Sequence, residues 1–206
     1  MKKVFVFFVL VFAGISSFSQ VKSIMLDGKD RITPDSSLAV TYAVFGKLTG
    51  DTVYTFKKFD FTGVLLASGS FKDDSLSVPH GKFVYYDWIT PENNTVNTGF
   101  EINGRERYVQ LTGAFIDGNK TGRWLTYYPD GKFKQIVTYY KGVPHGAYQY
   151  FNMNGKLMVS GLYVAGKKNG TWTLNGGKQE NEYVADQLIS TLKGKKLREK
   201  QQKVKM

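Results

Sequence analysis

The chain of 206 residues contains no cysteine. That absence excludes disulfide frameworks, thiolate zinc sites, iron–sulfur clusters and cysteine nucleophiles. Histidine occurs only as His80 and His145, so a two-histidine metal or relay site would need both. No Gly-x-Ser-x-Gly elbow, phosphate-binding glycine loop or metal-ligand cluster is present, and no cofactor is expected. Proline is rare at 5 residues, whereas there are 22 glycines and 15% aromatics. Glycine is thus above the ~7% of ordinary globular chains. Many aromatics with many glycines point to short strands joined by turns, and away from disorder.

A formal net charge of +11 invites a nucleic-acid reading until the charges are placed. Lys2 and Lys3 are the only charges in residues 1–19, and residues 193–206 carry seven bases against Glu199. Residues 20–192 hold 19 basic and 16 acidic groups. The repeat-bearing part is close to neutral, so no nucleic-acid partner is expected. Lys2-Lys3 precedes nine consecutive apolar residues from Val4 to Phe12, followed by small residues at Ser17 and Ser19. This is the pattern of a secretory signal peptide over residues 1–19. Nine residues are too few to cross a ~30 Å hydrocarbon layer. The expectation is an exported chain, periplasmic or extracellular.

The middle of the chain repeats every 24 residues. Gly113-Ala-Phe115-Ile-Asp-Gly118-Asn-Lys-Thr-Gly122 aligns with Val137-Thr-Tyr139-Tyr-Lys-Gly142-Val-Pro-His-Gly146 and with Gly161-Leu-Tyr163-Val-Ala-Gly166-Lys-Lys-Asn-Gly170. Between them, Trp124-Leu-Thr-Tyr127-Tyr-Pro-Asp-Gly131-Lys aligns with Tyr148-Gln-Tyr-Phe151-Asn-Met-Asn-Gly155-Lys, and Trp172 opens another copy. An earlier copy starts at Phe56 and includes Gly69-Ser-Phe71. Its closing Val78-Pro-His80-Gly81 recurs as Val143-Pro-His145-Gly146, three residues later than the register predicts. Residues 20–53 read as N-terminal strands or a degenerate copy.

Each unit reads as two strands. Asp-Gly or Asn-Gly between the aromatic runs is the signal of a type I′ hairpin, and the x-x-x-Gly segments read as the turns between units. Hairpin after hairpin gives an antiparallel meander supported by nearest neighbours. Trp124, Tyr148 and Trp172 share one repeat position, and Phe115, Tyr139 and Tyr163 another, so two aromatic ladders are expected. The pattern resembles the MORN-repeat variant of bacterial proteins, including the YwqK-type antitoxin family, over residues 54–174 in four copies. That resemblance implies a long, twisted single-layer sheet for scaffolding or partner binding, and a toxin as one kind of partner.

His80 and His145 share their repeat position with Thr121 and Asn169. A metal or acid–base role would not tolerate threonine, whereas a turn before glycine accepts all four residues. Asp60, Asp130, Asn152 and Asn154 read as turn residues that hydrogen-bond their own backbone, and Asp73-Asp74 as a solvated loop. About 17 residues, roughly 88–104, interrupt the copy that starts at Phe83. Insertions in repeat arrays often map to the binding face, and affinity would come from exposed aromatics of the sheet. Tyr86, Trp88, Phe100, Arg105 and Arg107 are therefore the expected partner contacts. Past Gly177, Val184, Ala185, Leu188, Ile189 and Leu192 recur at helical spacing. A capping helix is expected there, followed from Lys193 by a solvated basic tail suited to anionic envelope surfaces.

Together these readings predict an all-β protein, an elongated antiparallel β-hairpin repeat meander with a C-terminal capping α-helix. Its segments are a signal peptide (1–19), N-terminal strands (20–53), repeats (54–177), and a helix with basic tail (178–206). The expected function is a non-enzymatic scaffold that binds another protein.

Overall fold

The protein, in a computed structural model that describes residues 21–94 and 106–204, is one thirteen-stranded antiparallel sheet followed by one helix. The first strands are β1 (Lys22–Asp27), β2 (Ala39–Gly46), β3 (Tyr54–Asp60), β4 (Leu65–Phe71) and β5 (Gly81–Trp88). The regular repeats form β6 (Arg107–Ile116), β7 (Asn119–Tyr127), β8 (Phe133–Tyr140), β9 (Val143–Phe151), β10 (Leu157–Val164) and β11 (Lys167–Leu174). The chain continues through β12 (Gln179–Val184), β13 (Gln187–Lys193) and α1 (Gly194–Val204). Spatial order equals sequence order, which is the meander the repeats predict. The expected signal peptide, residues 1–19, lies outside the described residues.

Two kinds of turn alternate, and their places differ from the sequence expectation. At Asp130-Gly131 only the glycine is left-handed (φ 81°), and at Asn154-Gly155 likewise (φ 77°). Three residues separate the hydrogen-bonded ends there: the N–H of Tyr128 donates to Lys132 and that of Asn152 to Lys156, each at 2.8–2.9 Å. This is a type I turn completed by a left-handed glycine. The two-residue I′ turns sit at the other end of each hairpin, at Asp117-Gly118, Lys141-Gly142, Ala165-Gly166 and Ala185-Asp186, where both residues have positive φ. Gly122, Gly146 and Gly170 are not turns between units. They lie inside β7, β9 and β11 with φ of 62°, 109° and 68°, beside register shifts in the pairing. Each is a bulge, which left-handed glycine accommodates.

The two expected aromatic ladders are one row. Phe56, Phe71, Phe83, Phe115 and Trp124 follow one another edge-to-face, with centroids 4.9–5.5 Å apart. Tyr148, Tyr163, Trp172 and Tyr183 continue it at the far end. The two repeat positions interleave because both point to the same side of neighbouring strands. Mid-strand glycines make the space. A β-carbon on Gly69 would fall within the ring of Phe83, on Gly113 within the indole of Trp124, and on Gly161 within that of Trp172. Where Val137 replaces glycine, its cross-strand partner is the smaller Tyr148. Phe83, Trp124 and Trp172 are consequently buried.

The helix expected over 184–192 is a hairpin. Tyr183-Val-Ala-Asp186 repeats Tyr163-Val-Ala-Gly166, so β12 and β13 turn on Ala185 and Asp186 at φ 48° and 73°. The stretch expected as a solvated basic tail forms α1 instead. Leu197 is its buried residue, and Lys200 pairs with Glu180 at 2.8 Å, so the helix packs against the last two strands. A C-terminal helix does pack against the array, one segment later than its apolar spacing predicts.

Candidate partner-binding surface

From Trp124 to Tyr183 the aromatic row is a poor candidate for a binding surface, because its rings are used by one another. Lys120 Nζ stands 4.3 Å from the centroid of Trp124 and 5.2 Å from that of Tyr139. Lys168, at the same repeat position, stands 4.9 Å from Trp172 and 5.2 Å from Tyr183. These cation–π contacts cover the indoles further.

One set of exposed apolar groups recurs on the opposite face. Ile116, Tyr140, Val164 and Val184 each close a strand one residue after a row aromatic, so strand alternation turns them the other way. They remain 56%, 59%, 41% and 55% exposed. All four precede an I′ turn, and their cross-strand partners are Asn119, Val143, Lys167 and Gln187. Equivalent residues fall on every second strand, roughly 9.5 Å apart. Ile116, Asn119, Thr121 and Tyr140 border a shallow depression of about 320 Å³.

This turn edge is held in place by hydrogen bonds that recur with the repeat. The N–H of Gly118 donates to the carbonyl of Pro79, Gly142 to Lys120, Gly166 to Pro144 and Asp186 to Lys168, at 2.8–2.9 Å. The histidines belong to the same fastening. Nδ1 of His80 accepts the N–H of Asp117 at 3.3 Å, and Nδ1 of His145 accepts that of Ala165 at 3.2 Å. Asp117 also pairs with Lys72, and that hydrogen bond holds its carboxyl below the usual range. His80 and His145 thus tie one turn to the next strand, and among the described residues no group of three metal-ligating side chains forms. A line of apolar residues on a rigid edge is preorganised for contact, with little ordering entropy to lose.

Of the residues expected to meet a partner, Phe100 and Arg105 lie outside the described residues. Tyr86 and Arg107 come together: the guanidinium carbon is 4.5 Å from the phenol centroid, and Arg107 also donates to the carbonyl of Leu65. Trp88 is the cross-strand partner of Arg107, and Ile89 N–H donates to Glu106 at 2.8 Å, so the hairpin runs on past the repeat length. Asn93 closes the loop by donating to Trp88 O and accepting from Thr90 N–H, both at 2.8 Å. This corner sits at the far end of β6 from Ile116, roughly 30 Å away at strand rise. The sequence carried a signal for the turn edge too, namely an apolar residue directly before each I′ pair. Such a signal reads as ordinary strand until the facing is known.

Asp60, Asp130 and Asn152 cap their own turns, accepting backbone N–H groups at 2.9–3.1 Å as expected. Asp73 does the same for Ser77 and Val78, and Asp74 pairs with Lys22 at 3.0 Å. Comparison with known proteins finds no protein-family model and no curated protein that matches the chain. The architecture itself, thirteen antiparallel strands in hairpin succession, is consistent with a repeat protein.

Proposed function

We propose that this chain is an exported, non-enzymatic, MORN-like repeat scaffold that binds another protein along its turn edge. The observation that carries the reading is the recurrence of Ile116, Tyr140, Val164 and Val184, exposed at one position of successive hairpins. Isolated exposed apolar residues need no explanation, whereas an aligned set is the usual mark of an interaction surface. Affinity comes from burying this line, with the Tyr86–Arg107 corner adding selectivity at the other end. A toxin domain is one partner such a scaffold would neutralise. The test is capture from the envelope fraction by the mature chain and by an Ile116→Ser/Tyr140→Ser/Val164→Ser variant. A protein retained by the first and lost by the folded variant supports the reading, and equal retention refutes it.

A second reading rests on α1. With Leu197 turned inward, Lys195, Lys196, Arg198 and Lys203 are exposed, a charge density suited to an anionic envelope surface. Salt-sensitive sedimentation with anionic vesicles, abolished by Lys195→Gln/Lys196→Gln/Arg198→Gln, is the outcome this reading requires.

A further inference from the structure

At one departure from the repeat on the aromatic face a cavity lies. Ala67, two residues before Gly69, stands where later copies carry Leu111, Gln135 and Val159. Its cross-strand partners are Lys58 and Tyr85, so the missing side-chain volume opens between them. The β4–β5 connection beside it is the one that runs three residues long. Asp73 gathers that loop by accepting the N–H groups of Ser77 (2.8 Å) and Val78 (2.7 Å). Leu76, at a left-handed φ of 56° uncommon for leucine, packs against the core cluster of Leu26, Ala43, Phe45 and Phe56. Across from it, Asp27 accepts the N–H groups of Lys29 and Arg31 at 2.8 and 2.9 Å. This shapes the loop that brings Asp30 to Lys58, whose ammonium donates to both carboxylate oxygens at 2.9 Å.

The partly open space is about 300 Å³, walled by Phe56, Phe71 and Phe83, with Lys58, Asp30, Tyr85 and Ser75 as its polar groups. We propose that it binds a small, uncharged aromatic molecule carrying a hydroxyl group. Three phenyl rings and Ala67 suit a flat apolar body, and the volume is at the small end of ligand cavities. Lys58 is already neutralised by Asp30, so either sign of ligand charge would meet a like charge beside its partner. A neutral hydroxyl can donate to Asp30 and accept from Tyr85, whose own hydroxyl has no hydrogen-bond partner among the described residues. The site is on the face away from the turn edge, and the proposal does not depend on the protein-binding reading.

The probe is 2-naphthol, titrated into the full chain by calorimetry, with naphthalene as the analogue lacking the hydroxyl. Ala67→Leu installs the residue that the next copy carries as Leu111, filling the space with a side chain the repeat accepts. Leu76→Trp narrows the mouth from the loop side and is the second filling variant. Saturable binding of one 2-naphthol per chain is expected, weakened at least about tenfold in either folded filling variant. Lys58→Met, which releases Asp30, should weaken 2-naphthol several-fold and leave naphthalene unchanged. Absence of saturable binding, or equal affinity in a filling variant that keeps its cooperative melt, overturns the site. Equal loss of both probes in Lys58→Met overturns the hydroxyl assignment.

Discussion

Gly113 and Gly161 are mid-strand glycines, positions where glycine ordinarily weakens a sheet. Their value lies in a ring that arrives from the following strand, so their recurrence was legible while its reason was not. The reason depends on which face each ring takes, and the bulges at Gly122 and Gly170 decide that. Gly161→Ala should destabilise the protein by about 1–3 kcal/mol in urea unfolding, and by much less in a Trp172→Leu background, where the indole is gone. Asp27 and Tyr128 are among the groups that bound a pH window. The N–H and guanidinium of Arg31, with the N–H of Lys29, hold Asp27 near pKa 2 against an ordinary 3.8. Burial, together with Tyr150, pushes Tyr128 up to about 12 against 10.0, and its hydroxyl donates to Phe151 O at 2.8 Å. A depressed carboxyl contributes fully above pH 3.8 and loses that contribution as pH falls toward 2. A raised phenol contributes fully below pH 10 and loses it as pH rises toward 12. The urea midpoint should therefore decline through both windows, and removing the phenol hydroxyl by Tyr128→Phe should flatten the alkaline decline.

Hairpins are the unit in which the sequence was most and least readable. Alternating strands and their order followed directly from the 24-residue repeat. The last hairpin was hidden because Val184, Leu188 and Leu192 mark a turn and an edge strand at intervals that also fit a helix. Its real signal is Tyr183-Val-Ala-Asp, a copy of Tyr163-Val-Ala-Gly with aspartate tolerating the left-handed position. Ala165 occupies the same conformation at φ 49° without a side chain that favours it. Ala165→Gly should raise stability by about 0.5–1 kcal/mol, read from the thermal melt. The helix α1 holds through Leu197 and the Lys200–Glu180 pair. Leu197→Ala should release it, with fast hydrogen exchange confined to residues 194–204 while the sheet melts nearly as before.

At the scale of the molecule, an open sheet must protect two edges. At β1 the returning chain does this: Asp27 N–H donates to Arg31 O and Thr33 N–H to Met25 O, at 2.9 and 3.0 Å, around a bridge between Leu26 and Ile32. At the other end α1 packs on β12 and β13. Each end of the array thus carries an added segment, and exposed apolar residues recur along its I′-turn edge. Sequence reasoning directed attention to the insertion, where Tyr86 and Arg107 do meet. It passed over Ile116, Tyr140 and Val164, because exposure of one strand residue per repeat is a property of facing. Docking of a protein partner on this edge, as proposed above, is read at residue level by site-specific photocrosslinking. With p-benzoylphenylalanine in place of Tyr140, the chain expressed in its native host should crosslink to one discrete protein, and the Ile116→Ser/Val164→Ser background should abolish that band. A crosslink from position 86 with none from position 140 would contradict the account.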